Sequence, residues 1–116
     1  MPALYSIADF VFAPSTKPES FCLIVVESWA MGRPIIATEI GGPRELVHDN
    51  KTGWLMPIGE PDKFADKLLK IIEYNEESVN KVTQSAKNRV REFFSINFMC
   101  ETYLKIFREM VKNERV

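Results

Sequence analysis

Two glutamates, Glu19 and Glu27, are separated by seven residues and flank Phe21-Cys22-Leu23-Ile24-Val25-Val26, the longest apolar run in the chain. An ionised carboxylate at the end of a run expected to be buried is costly unless it is paired or hydrogen-bonded. The partner has to be a cation of the same protein, a backbone N–H or a ligand. Each carboxylate offers two acceptor oxygens, which suits the neighbouring hydroxyls of a ribose or a sugar. If the run is a helix starting near Phe21, the N–H groups of Ser20 to Leu23 lack intrahelical acceptors. With the helix dipole behind them they form a site for a phosphate or diphosphate. Glu27 then lies about 9 Å further along, and Glu19 just before the helix. A nucleotide-sugar laid across this start would set its diphosphate at the amides, one carboxylate on ribose hydroxyls and the other on sugar hydroxyls.

The placement depends on the elements around the run. Ile24, Val25 and Val26 are β-branched and by propensity favour a strand. Continuation through "ESWAMG", a length of about eleven residues and Gly32 placed as a C-terminal cap favour a buried helix over 21–31. Before it, Phe10–Ala13 reads as a buried strand stopped by Pro14, and "APSTKPES" as a proline-punctuated loop. After it, Ile35–Thr38 is a second buried strand. Pro43 is placed to open a short helix behind Gly41-Gly42, and "WLMP" is a third strand. Pro61 begins the clearest helix, with Phe64, Leu68, Leu69, Ile71 and Ile72 on one face. A charged helix covers about 77–92, and Ser95 caps a last helix with the stripe Phe98, Met99, Tyr103, Ile106, Phe107 and Met110. Alternating strands and helices predict an α/β fold of about three parallel strands with flanking helices. In such sheets ligands bind beyond the carboxyl ends of the strands, here the loops 14–20, 39–43 and 58–61.

Other chemistries find little support. No Asp-x-Asp pair occurs, and Cys22 and Cys100 lack metal-ligand spacing, so no metal and no cofactor is expected; a leaving diphosphate would rely on amides and cationic side chains. His48 falls in the turn "HDNKTG", Trp29 and Trp54 read as packing residues, and Lys17 and Arg44 as solvated loop cations. With 116 residues, 46% hydrophobic, 27% charged and a net charge of -1, the chain reads as one globular domain with no footprint for nucleic acid. Residues 1–75 form its α/β core and 76–116 its C-terminal helices. No apolar stretch approaches the ~20 residues of a bilayer span, so a cytoplasmic location is expected, with membrane contact at most peripheral, at the inner face of the cell membrane.

The stretch "PSTKPESFCLIVVESWAMGRPIIATEIGGPRELV" resembles the donor-binding signature of retaining glycosyltransferases of the GT-B fold, family 4 or group 1. That pattern runs Pro-Ser, a loop, Glu-x-Phe-Gly, a second Glu at the E-x7-E spacing, a Gly-x-Pro, and then Gly-Gly-x-x-Glu-Leu-Val. "YSIAD" before it and "TGWLMPIGEPDKFADKL" after it fit the same flanks. The resemblance implies a partial Rossmann-like domain, the GT-B C-terminal one, whose donor is a nucleoside-diphosphate sugar (NDP-sugar). It implies that Glu19 and the backbone amides of Phe21, Cys22 and Leu23 hold the donor sugar, and that Glu27 holds the ribose. Ser15, Gly41 and Gly42 are candidate pocket lining; for the glycines a plain strand-to-helix turn is the equal alternative. Cys22 stands where the pattern has Gly. The implied partners are the NDP-sugar and an N-terminal acceptor domain or second chain. Without that half the chain is expected to be inactive. Strands numbered 4, 5 and 6 of a doubly wound sheet would leave the first strand at an open edge, so that edge and the last helix are candidate surfaces for a homo-oligomer.

Overall fold

A computed structural model describes residues 2–114. The elements run α1 (Pro2–Ile7), β1 (Val11–Ala13), α2 (Leu23–Ala30), β2 (Ile35–Thr38), α3 (Gly41–Leu46), β3 (Trp54–Met56), α4 (Pro61–Ile72), α5 (Glu76–Phe93) and α6 (Ile96–Glu114). The three strands form one parallel sheet in the order β1-β2-β3, with Val11 opposite Ile35 and Ile36 opposite Trp54. This is the expected α/β architecture, with β1 at an edge.

All four residues of β2 are buried, as a strand covered on both faces requires. Ile35 and Ala37 point to one face, where they meet Val25 and Trp29 of α2 and Ala86 of α5. Ile36 points to the other, with Trp54 and Met56 of β3, Ile71 of α4 and Val82 of α5. Both tryptophans are core packing residues, and the Trp29 indole N–H donates to the Thr52 carbonyl at 2.8 Å. At the end of α2 the Gly32 N–H returns to Trp29 and the Arg33 N–H to Ser28, while Gly32 adopts φ 66°. This is the left-handed termination that a glycine permits.

The run 21–26 departs from expectation in two ways. It is helical, but α2 starts at Leu23 rather than Phe21. Nor is the run buried as a block: Cys22 and Val25 face the core, whereas Phe21, Leu23 and Ile24 lie on the outside, Leu23 at 64% exposure. Helical periodicity explains this, since 22, 25 and 29 share the stripe that meets the sheet. Glu27 is therefore exposed, and the cost of burying its charge does not arise.

Smaller differences have equally local causes. α3 opens at Gly41, two residues before Pro43. In α4, Ile71 is buried and Phe64 and Leu68 half-buried, but Leu69 and Ile72 are exposed, so its core stripe is narrower than the apolar pattern suggests. Asn75 caps α5 by accepting from the Ser78 N–H at 2.8 Å, and Ser95 accepts from the Phe98 N–H at 3.1 Å at the start of α6. No described residue of α6 is buried, so its stripe is not core.

Candidate functional site

The loops at the carboxyl ends of β1 and β2 meet in front of α2. Gly42 donates its N–H to the Glu19 carbonyl at 2.7 Å. A Cβ on Gly41 would come within 2.6 Å of that same oxygen and 2.7 Å of the Glu19 nitrogen; one on Gly42 would come within 2.6 Å of the Phe21 carbonyl oxygen. Gly41 also has φ 58°. The two glycines thus do more than turn the chain: their missing side chains let the 18–21 loop lie directly on the start of α3.

Ser15 fixes the other side of Glu19. Its hydroxyl donates to Glu19 Oε1 at 2.6 Å, and its own carbonyl accepts from the Thr38 hydroxyl at 2.6 Å. The Ser15 hydroxyl, and then the Cys22 thiol beside it, hold the Glu19 carboxyl below its usual range. Glu19 is nonetheless exposed, so it is a poised acceptor rather than a buried charge.

Cys22 occupies the N-cap position of α2 with φ 68° and ψ 77°, and makes no side-chain cap. That left-handed backbone is what a glycine adopts freely and a Cβ-bearing residue adopts at a cost of about 1–2 kcal/mol. The structure thus supplies a conformational reason for the Gly in the resembling pattern. Burial, with the neighbouring Glu19 adding to it, pushes the Cys22 thiol up to about 11, so it is a neutral thiol at ordinary pH. The later helix start shifts the amide site as well. The first helical amides are those of Leu23 and Ile24, because the Val25 N–H already returns to the Cys22 carbonyl at 3.1 Å. Ser20 lies outside that turn.

Glu27 follows one turn along α2 and is not paired with a cation: the described ion pairs are Lys63–Glu60 and Lys67–Asp49. Its partner is Tyr5, whose hydroxyl donates to Glu27 Oε2 at 2.7 Å. Tyr5 and Thr38 were not singled out from the sequence. The available signal for Tyr5 was its place in "YSIAD", as the inward residue of a helical turn. Ser15, Glu19, Phe21, Cys22, Gly41 and Gly42 are brought together by the loop contacts above, while Leu23 and Glu27 follow along α2. Beside Ser15, a hollow of ≈ 290 Å³ opens between Pro14, Thr38, Gly59, Glu60 and Phe64 at the ends of all three strands. His48, Lys17 and Arg44 are solvent-exposed.

Chemically, the arrangement offers free amides that suit an anion and carboxylate oxygens that accept from hydroxyls. Two exposed carboxylates, each with one oxygen taken by a protein hydroxyl, bracket the amide end of a helix at the edge where parallel sheets bind ligands. Among the described residues, no group of three or more His, Cys, Asp or Glu is arranged to hold a metal ion, and no helix is long and apolar enough to cross a membrane.

Comparison with known proteins gives a consistent result. Residues 1–89 match the family model described as "Glycosyl transferases group 1". The chain is 31% identical to the D-inositol 3-phosphate glycosyltransferase of Corynebacterium glutamicum over 98% of its own length and 27% of that protein's. A glycosyltransferase structure from Rickettsia africae superposes with a TM-score of 0.81 at 32% identity, covering 95% of this chain and 29% of that one. Anabaena Alr3699/HepE in complex with UDP superposes with a TM-score of 0.85 at 26% identity, covering 94% and 30%. The chain spans 13%, 29% and 11% of the length of the first three curated relatives it matches.

Proposed function

The chain belongs to the group 1 glycosyl transferases, with the α/β architecture of their GT-B fold, and from that premise we propose that it is the NDP-sugar-binding portion of a retaining enzyme. Such an enzyme moves a sugar from a nucleoside diphosphate to a glycan or lipid-linked acceptor. In this reading Glu19 and the amides of Phe21, Cys22 and Leu23 receive the donor sugar, and Glu27 receives the ribose. Ser15 and the Gly41-Gly42 pair act behind them, fixing the Glu19 loop. Turnover requires an acceptor-binding portion that these residues do not supply, and the partners are the donor and that portion.

The observation that carries the reading is the bracketing of one helix start by two exposed, hydroxyl-supported carboxylates at the carboxyl edge of the sheet. A likeness to a UDP-bound structure supports a nucleotide ligand. The test is calorimetric titration of the chain with UDP and GDP, repeated on Glu27→Ala. We expect the variant to bind at least tenfold more weakly, the weight of a charge-assisted hydrogen-bond pair to a diol. Equal affinity in the variant would remove Glu27 from the ribose.

One observation favours a second reading, a binding module without turnover. Cys22 places a Cβ in a left-handed position where the group 1 pattern has glycine, next to the carboxylate assigned to the sugar. Transfer assays with a complementary N-terminal portion separate the two readings, since a module of this kind would bind donor but release no product.

A further inference from the structure

α1 is a short helix with a single buried residue, Tyr5, and most of its surface faces solvent. It is nonetheless tied to the rest of the molecule at two points. Arg33 donates from Nη2 to the Ser6 carbonyl at 2.6 Å, and the Tyr5 hydroxyl reaches across 22 positions of sequence to Glu27 at 2.7 Å. Tyr5 is 5% exposed, so its hydroxyl sits on a packed base.

Glu27 has the opposite character. It is exposed, its side chain is long, and among the described residues Tyr5 is the one protein group hydrogen-bonded to its carboxylate. A free glutamate of this kind samples many rotamers, and a ligand that needs one of them bears the ordering cost. We propose that Tyr5 is a positioning residue for Glu27: its hydroxyl occupies Oε2, selects one orientation of the carboxylate, and leaves Oε1 to accept from the ligand. The inference rests on the reading of Glu27 as the ribose-binding carboxylate, and it assigns a role in that site to an element outside the E-x7-E segment.

The chemistry of the phenol agrees with this role. Burial first, and then the hydrogen bond and charge of Glu27, push Tyr5 up to about 12. It therefore stays protonated throughout the neutral range and keeps the proton it donates to Glu27.

Tyr5→Phe tests the proposal, because it keeps the ring in place and removes only the hydroxyl. The probes are UDP, GDP and inorganic pyrophosphate, titrated into wild type, Tyr5→Phe, Glu27→Gln and the double variant. We expect Tyr5→Phe to weaken both nucleotides roughly five- to tenfold, about one hydrogen bond to a charged group. Pyrophosphate, which has no ribose, should bind Tyr5→Phe as it binds wild type. In the Glu27→Gln background the added Tyr5→Phe should change nothing further, as expected for two residues acting through one contact. Unchanged nucleotide affinity in Tyr5→Phe overturns the proposal while leaving the Glu27 assignment standing. Loss of pyrophosphate binding in parallel also overturns it, since that would mark a general disturbance of the fold. If Glu27→Gln binds the nucleotides as wild type does, or wild type binds neither, the ribose assignment fails and the role of Tyr5 goes with it.

Discussion

Glu19 and Glu27 look alike in the sequence, yet the structure equips them differently. Glu27 takes its support from a buried phenol in a distant helix, whereas Glu19 takes its support from a serine four residues upstream and the thiol three residues downstream. The second arrangement has a pH signature. Hydrogen bonds to the charged form lower the Glu19 carboxyl in the folded state. The loop interactions that depend on its charge are then fully present above the ordinary carboxylate value and are lost as pH falls through the lowered one. Ser15→Ala removes the largest cause, so the Glu19 titration midpoint should move upward, toward that of an unassisted carboxylate. Carbon-13 NMR of the side-chain carboxyl measures this directly, and an unmoved midpoint would show that the 2.6 Å contact has little weight in solution. Much of this was legible beforehand: the pairing of two carboxylates around a helix start follows from residue type and spacing. What the spacing cannot reveal is which oxygens the protein already uses, because Tyr5 reaches Glu27 through the tertiary fold.

At the level of elements, the site depends on two loops lying closer together than side chains would allow. Gly41→Ala puts a methyl within 2.6 Å of the Glu19 carbonyl oxygen on a backbone at φ 58°. Overpacking and left-handed strain together predict a loss of about 2–4 kcal/mol, measurable by urea unfolding. Donor binding should fall in parallel as the 18–21 loop is displaced. A variant as stable as wild type would mean that the loop yields more readily than its contacts suggest. The alternation of strands and helices, the proline at the start of α4 and the Ser95 cap were readable from local chemistry. The position of the first turn of α2 was not, because Phe21, Cys22 and Leu23 are all apolar and hydropathy alone cannot tell which begins the helix. The left-handed backbone at Cys22 settles it by turning the chain into α2 one residue before Leu23. Similarly, Leu69 and Ile72 have the hydropathy of core residues and miss the core because α4 covers the sheet along a narrow stripe.

The whole molecule is elongated, 59 × 29 × 24 Å, and its radius of gyration of 17.1 Å exceeds the about 13 Å of a compact chain of this length. The excess comes from α6, which extends from the end of α5 with Met99, Tyr103, Phe107 and Met110 all exposed. A chain ended after Ser95 should therefore keep its cooperative unfolding. It should lose about 1 kcal/mol, chiefly the edge-to-face contact of Phe98 on Phe93 at 5.7 Å, in chemical denaturation. A loss of more than about 3 kcal/mol would show that α6 braces the sheet after all. Mechanically, α6 is a lever held at one end. At 1.5 Å per residue it reaches about 28 Å, so a swing of about ten degrees at Ser95 carries its tip about 5 Å. The root of this long arm lies beside Phe94, whose ring is 5.9 Å from that of Phe21 in the loop that carries Glu19.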